Sequence, residues 1–306
     1  MNNILVTGGL GHIGSKLIRF LLQKNHNIFC VDNLSTQRFT SLRGLVGKEN
    51  FNFHKIDLSQ EHHLLSDTFK DHSIDCVVHL AAITDAEASH ERAKEVHNNN
   101  FNSTKHIVDF CNSKSAQLIF PSSTSVYGSA ESEVYEDHDE FLNPQSPYAE
   151  SKINEEKYII SNIEGKYNIL RLGTIFGVSP GMRFHTAVNK FCWQAALNLP
   201  ITVWKTALDQ YRPYLDINDA ANAMNFFITE HHDNEVFNVL TDNYTVQNIL
   251  DSIQNLQDIE IEFVESKIMN QLSYFVRNEK IKSAGFTFDG DLDQSIEDTF
   301  KWLRQS

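Results

Sequence analysis

Two short stretches carry the residue types from which a proton-transfer site is built. Ser122-Ser123-Thr124-Ser125-Val126-Tyr127-Gly128 places four hydroxyls in consecutive positions. Pro147-Tyr148-Ala149-Glu150-Ser151-Lys152 opens a helix and sets a phenol and an ammonium four residues apart, which puts both on one helical face. A tyrosine acting as a base near neutral pH must have its pKa lowered by about three units, or roughly 4 kcal/mol. A Lys ammonium about 5 Å away, at an effective dielectric near 20, contributes roughly 3 kcal/mol. The pair is adequate when a further positive charge lies close by, and barely so without one. Tyr and Lys at this spacing are also common on exposed helix surfaces, so the pair alone decides nothing. Nor does the serine stretch, which admits either a nucleophile or a hydroxyl that only holds a substrate.

The elements around these stretches supply the missing charge. Gly8-Gly9-Leu10-Gly11-His12-Ile13-Gly14 follows an apolar strand directly and opens a helix whose stripe is Ile13, Leu17, Leu21 and Leu22. Glycines in this context turn the backbone tightly and let a pyrophosphate approach the helix N-terminus, where free N–H groups and the dipole favour anions. Asp32 ends the second strand about 20 residues further on, as a dinucleotide site requires. Its carboxylate accepts hydrogen bonds from ribose hydroxyls and repels a 2′-phosphate, favouring NAD over NADP, although the Arg38 cation is close in sequence. The alternative is a glycine turn with a capping Asp. An oxidised nicotinamide ring would bring the positive charge that Tyr148 needs.

Short apolar runs suited to buried parallel strands recur at Ile4–Thr7, Ile28–Val31, Phe51–Ile56, Cys76–Leu80, Leu118–Pro121 and Asn168–Leu172, with helical spacing between them. This alternation predicts an α/β fold, a doubly wound parallel sheet of the Rossmann kind covered on both faces. It weakens after about Gly177. Helices are expected near Ala187–Leu197, Asp219–Ile228 and Leu292–Leu303, with strand-like ITVW and RPYLDI between the first two. The expected organisation is a nucleotide-binding unit over 1–175, rejoined by segments at about 212–240, and a smaller α+β cap over 176–306.

Composition narrows the partners. The 306 residues are 41% hydrophobic and 22% charged, with a formal net charge of -14, which argues against a nucleic-acid backbone as ligand. Cys30, Cys76, Cys111 and Cys192 stand far apart without a CxxC pair, so reduced core thiols are expected. MNNILVTGG enters an apolar strand without a basic leader, and no apolar run nears the roughly 20 residues needed to cross a bilayer. A cytoplasmic protein without membrane insertion is expected. His62-His63 and His231-His232 lack further ligands at metal-site spacing; they are expected to be exposed, and no metal is expected.

Taken in order, TGGxGxxG, Asp32, Asp57-Leu58, His79-Leu80-Ala81-Ala82, Asn100, SSTSVYG, YAESK and Leu170-Arg171 make the chain resemble the extended short-chain dehydrogenase/reductase family, in its NAD-dependent nucleotide-sugar epimerase/dehydratase branch. The resemblance is dense to about residue 177 and looser beyond it. It implies NAD as cofactor, contacted by Gly8, Gly11, His12, Ile13, Gly14, Asp32 and Asn33. Asp57 and Leu58 are implied at the adenine, and Leu80, Ala81 and Ala82 at ribose and phosphates. Asn100 is implied to help hold the active-site helix, and Ser122, Tyr148 and Lys152 complete the cofactor set. Asn98 and Asn99 read as exposed helix positions. The implied catalytic trio is Ser123, Tyr148 and Lys152. Ser123 then holds the sugar O4, and Tyr148 is the base.

In the same resemblance a nucleotide-diphosphate sugar is the substrate. Relatives that dehydrate at C5–C6 carry an Asp-Glu pair where this chain has Thr124 and Ser125, and decarboxylases tend to carry Glu just before the valine. Neither residue here is a useful acid or base near pH 7. A 4-epimerase, working by oxidation to a 4-keto sugar and re-reduction, is therefore favoured. A 4-ketoreductase or 4-dehydrogenase is the chief rival, a 4,6-dehydratase is less favoured, and a cofactor-binding sensor or scaffold is the non-enzymatic alternative. Thr84 is expected near the sugar. Thr174 stands where relatives have an Asn for the diphosphate. Asn189 and Arg212 resemble cap residues that contact it, with a surface ion pair to Asp209 or Asp216 as the alternative for Arg212. Arg183, in SPGMRF, is a candidate reader of sugar or phosphate. Trp204 is placed either against the nucleobase or in buried cap packing. A homodimer is expected by analogy, through Lys94–Cys111 and Tyr148–Ser161.

Overall fold

The computed structural model describes residues 1–84, 88–128, 133–137, 139–230, 232, 234–265 and 274–304. The chain runs β1 (Asn3–Thr7), α1 (His12–Gln23), β2 (Asn27–Asp32), β3 (Phe51–Lys55), α2 (His62–Thr68), β4 (Cys76–His79), α3 (Ala93–Lys114), β5 (Gln117–Ser123), β6 (Glu133–Val134), α4 (Pro147–Asn162) and β7 (Tyr167–Leu172). It continues with β8 (Thr174–Phe176), α5 (Ala187–Ala196), β9 (Ile201–Trp204), β10 (Arg212–Asp216), α6 (Ile217–Thr229), β11 (Glu235–Val239) and β12 (Asp242–Tyr244). Last come α7 (Val246–Gln254), β13 (Ile261–Val264), β14 (Phe275–Val276), α8 (Glu279–Ser283) and α9 (Leu292–Arg304).

Runs such as Ile4-Leu5-Val6 and Cys76-Val77-Val78 are buried on both faces and so belong in the middle of a parallel sheet rather than at a solvated edge. Seven parallel strands pair in the order β11-β7-β5-β4-β1-β2-β3. On one face Leu17, Ile18 and Leu21 of α1 share a core with Ala220, Met224 and Phe227 of α6. On the other, Phe69, Ile107, Val108, Phe110 and Ile159 cover the strands from α3, α4 and the end of α2. The doubly wound expectation holds.

Of the stretch 212–240, β11 joins the sheet beside β7, whereas β10 pairs with β8 and β12 in a separate three-stranded sheet. A third core, with Phe191, Cys192, Ile249, Ile253, Ile296 and Phe300, joins α5, α7 and α9. The four cysteines are free and buried, in keeping with core thiols. His63 is exposed, but His232 is half-buried and stacked on Phe226, a correction the His-His pattern did not foreshadow. His231 and the side chain of His62 lie outside the described residues. Among those residues, no helix is long and apolar enough to cross a membrane, and no group of three or more His, Cys, Asp or Glu could hold a metal ion.

Below the sheet's carboxyl edge lies a buried polar network. Arg171 of β7 donates to Glu156 of α4 at 2.8 Å, with both side chains about 4% exposed. It also donates to the Tyr127 hydroxyl at 3.0 Å, which in turn donates to Asn238 of β11 at 2.6 Å. Removing one partner of such a pair strands the other charge, whereas replacing both removes two desolvation penalties. Glu156→Ala should therefore cost about 3–5 kcal/mol in chemical denaturation. The Glu156→Leu, Arg171→Met double variant should recover most of that loss.

Candidate active site

All the strand ends that matter open on one edge. β1 and β4 are neighbours whose crossovers diverge, the switch point at which open α/β sheets hold ligands. After β1 the chain turns at Gly8 with φ +62°, and a Cβ there would lie 2.7 Å from the Ala81 nitrogen and the Leu80 carbonyl. Only glycine lets this loop run against Leu80–Ala82, which are half-buried. Gly11 caps α1 with no side-chain bond, leaving the first-turn N–H groups of His12, Ile13 and Gly14 for an anion.

The half-buried carboxylate of Asp32 accepts from the Leu10 and Leu34 amides at 3.1 and 2.9 Å, bracing the loop it faces. Asn33 donates to Asp57 at 3.3 Å, so these two residues, after β2 and β3, form one polar corner. His12 is buried, its Nε2 bonded to the Gly177 carbonyl at 2.9 Å. Burial lowers its pKa to about 4, opposed by that bond and assisted by Arg183, Arg38 and His185.

α4 begins with Ser146 as N-cap and Pro147 in its first turn. Its inward face carries Tyr148, Ser151, Lys152, Glu155, Glu156 and Ile159, the spacing of one helical stripe. The Ser123 hydroxyl, at the end of β5, lies close enough to the Tyr148 phenol to favour its ionisation. It also accepts the Ser125 amide at 3.2 Å. Lys152 is buried with its Nζ 4.3 Å from the centre of the Phe120 ring and donates to Glu155 at 3.3 Å. Arg183 crosses from the segment after β8 to bond the Thr84 hydroxyl, within electrostatic reach of Tyr148 and His12. Ser123, Tyr148, Lys152, Thr84 and Arg183 thus converge.

Electrostatics correct the arithmetic of the Tyr–Lys pair. The protein's own groups raise the Tyr148 pKa: burial outweighs Lys152, Glu155 pushes it further up, and Arg183 and the Ser123 hydroxyl push it down. Sequence spacing supplied the ammonium but neither the desolvation nor the nearby carboxylate.

Several expected contacts are spent elsewhere. Adjacent strand residues face opposite sides, so Ser122 turns away from Ser123 and bonds Glu156 in the interior. The Leu58 side chain is core, and its carbonyl is taken by His106, leaving Asp57 as the side chain available to an adenine. Asn100 clamps Ile83 at both ends, 2.8 Å to N and 3.0 Å to O. It holds the loop after β4, not α4. Asn98 is exposed, but Asn99 is half-buried and donates to Asn100. Asn189 is fully buried, accepting from the Gly177 amide and donating to the Arg183 carbonyl; it positions Arg183 instead of presenting a free amide.

Thr174 is half-buried and in register with Tyr214. Arg212 lies over the Tyr274 ring at 5.1 Å, and Trp204 is exposed on β9, which removes the buried-packing alternative. Sequence patterns did not reveal Ser179 and Gly181. Ser179 donates to the His12 carbonyl, and Gly181 lies so close to the glycine loop that a Cβ would meet the Gly11 oxygen at 2.4 Å. Glu155 went unread too, although the stripe Tyr148, Lys152, Glu155 was there to be counted.

A model of the NAD dependent epimerase/dehydratase family matches residues 4–239, more than half of the chain. The chain belongs to that family. Protein CapI of Staphylococcus aureus is 30% identical over 72% of this chain and 67% of its own length. A dTDP-D-glucose 4,6-dehydratase of Dictyostelium discoideum is 26% identical over the whole chain and 82% of its own. Among solved structures, the UDP-glucuronic acid 4-epimerase of Bacillus cereus, in complex with UDP-glucuronic acid and NAD, superposes with a TM-score of 0.88 at 22% identity, covering 99% of both chains. The UDP-glucose 4-epimerase of Thermotoga maritima, with UDP-glucose, gives 0.86 at 22%, covering 99% of this chain and 98% of its own.

Family membership makes NAD the cofactor, and the residues present fit it. The Gly8 turn leaves no room for a side chain, the first turn of α1 lacks a capping group, and the Asp32 carboxylate is partly open.

His79 makes the site sensitive to acid. It is buried in β4, with Nδ1 2.7 Å from Thr7 Oγ1 and Nε2 without a partner; burial, then Lys152, lowers its pKa to about 3. Both His12 and His79 are neutral in the fold and take up protons on unfolding. Their stabilisation is complete above the ordinary histidine value of 6.5 and is lost as pH falls towards about 4 and about 3 respectively. Urea midpoints should thus drop steeply from pH 7 to 5, with about two protons taken up on unfolding near pH 5. A flat profile across that range is the contrary result.

Proposed function

We propose that the protein is an NAD-dependent nucleotide-sugar 4-epimerase. The observation that carries this reading is the side-chain set beside Ser123. Thr124 is buried and donates to the Leu172 carbonyl at 3.2 Å, and the Ser125 hydroxyl is buried without a partner. Neither is an acid or base at neutral pH, whereas epimerisation asks only for oxidation and re-reduction at one carbon. Bound NAD supplies what these side chains lack, a reversible acceptor of two electrons as hydride.

Tyr148 takes the proton of the sugar 4-hydroxyl as the C4 hydrogen leaves with its electron pair and C4–O4 becomes a carbonyl. Ser123 holds O4 throughout. Lys152 holds the cofactor ribose and keeps positive charge close to the phenolate. The 4-keto sugar then turns about its diphosphate, and Tyr148 returns the proton once hydride has come back to the other face. Arg183, tied to Thr84 and supported by Asn189, binds sugar or diphosphate. Arg212 offers a planar cation for the phosphates, and Trp204 an open ring for the base. In the same reading the protein is a homodimer, with α3 and α4 as its contact helices.

A second reading, a 4,6-dehydratase, draws support from the full-length match to enzymes of that name. Incubation with UDP-glucose, UDP-glucuronic acid and dTDP-glucose, followed by proton NMR, separates the two. Appearance of the C4 epimer without added reductant is expected. Accumulation of a 4-keto-6-deoxy sugar favours the dehydratase, and stoichiometric NADH a dehydrogenase. Tyr148→Phe should lower turnover by about 10²–10⁴-fold with NAD still bound; full activity in that variant would end the proposal.

A further inference from the structure

Glu155 plays no part in the proton and hydride steps, yet it is fully buried beside them. Three donors converge on its carboxylate: Thr104 Oγ1 of α3 at 2.8 Å, Ser151 Oγ at 2.7 Å and Lys152 Nζ at 3.3 Å. That is the arrangement of an ionised carboxylate, which only accepts. A charge held this far from water needs a reason. Its neighbour Glu156 has one in Arg171, but the partner of Glu155 is the lysine on which the tyrosine base depends. Two hydroxyls on two helices fix the carboxylate, and the carboxylate in turn fixes one of the three ammonium hydrogens.

We propose that Glu155 is a positioning residue that holds the Lys152 ammonium in place and offsets its charge, so that Tyr148 becomes a competent base only when the cationic cofactor ring is beside it. This rests on the reading of Tyr148 as the base. Burial and Glu155 both oppose ionisation of the phenol in the cofactor-free protein, where Lys152, Arg183 and Ser123 favour it. Among the described residues, the charged and titratable groups around the pair are Lys152 and Glu155 on α4, Arg183 from the segment after β8, and His79 on β4, which stays neutral. Net positive charge from α4 is therefore small until the cofactor arrives. The free protein is thereby spared a reactive phenolate.

The test reads the phenol itself. Tyrosinate absorbance is titrated in the full-length protein with and without NAD, and the Tyr148→Phe trace is subtracted to isolate this residue. Glu155→Gln should lower the Tyr148 midpoint by about one pH unit in both states, since a unit charge about two helical turns away acts with roughly that strength. The acid limb of the pH–rate profile should move by the same amount. Thr104→Val keeps the carboxylate but strips a donor, and should move the midpoint the other way, by about a few tenths of a unit. Loss of turnover with an unmoved midpoint in both variants would overturn the proposal and leave Glu155 a packing residue. A shifted midpoint in a protein that epimerises no sugar nucleotide would sink the proposed function and leave this inference standing.

Discussion

The structure depends on packing a helix whose inward face is charged. α4 turns Lys152, Glu155 and Glu156 into the protein beside Tyr148, where isolated charges would each cost several kcal/mol. Glu156 is answered by Arg171 from β7 and Ser122 from β5, Glu155 by Thr104 from α3, and Lys152 by Glu155 and the Phe120 ring of β5. These partners fix how far α4 can slide or rotate against the sheet. Apolar packing alone tolerates such movement more readily, because it is not directional. The role proposed for Tyr148, meeting one hydroxyl of a substrate, needs the directional kind of support.

The cofactor side is governed by close approach of backbone to backbone. Gly8 sits against Leu80 and Ala81, and Gly181 against Leu10 and Gly11. Three loops from separate parts of the chain thus share one small volume, with Ser15 and Ser179 cross-linking two of them through hydroxyls. Arg183 adds a bond to Thr84 and lies within electrostatic reach of Tyr148 on α4. Residues in the segment after β8 therefore crowd the glycine loop as well as the surroundings of Tyr148.

The sheet was legible because its strands are continuous apolar runs, and the glycine loop because its spacing suits a tight turn into a helix N-terminus. Tyr148 and Lys152 were legible from a spacing of four. The pairings that periodicity does not encode could not be read. Ser122 and Ser123 look equivalent in sequence, yet strand alternation sends one to Glu156 and the other to Tyr148. Asn100 and Asn189 had the right chemistry for ligands, but their amides close on Ile83 and on the Gly177–Arg183 turn. A long-range hydrogen bond depends on which backbone atoms the fold brings near, and nothing local records that. α4 itself shows the limit: its buried face is polar, so an apolar stripe does not mark it.

The family takes in both epimerases and dehydratases, and the reaction proposed above begins with hydride removal at C4. The fate of the 4-keto sugar is then decided by which acids and bases stand within reach of the neighbouring carbons. In this chain the two positions after Ser123 present a hydroxyl committed to the Leu172 carbonyl and one enclosed without a partner. The buried carboxylate of Glu155 on α4 already accepts from Thr104, Ser151 and Lys152. A base already holding three donors has little capacity to take a proton from substrate carbon. Elimination needs such a base and reversal of configuration does not, so the hydrogen bonds of the described residues support the epimerase proposed above.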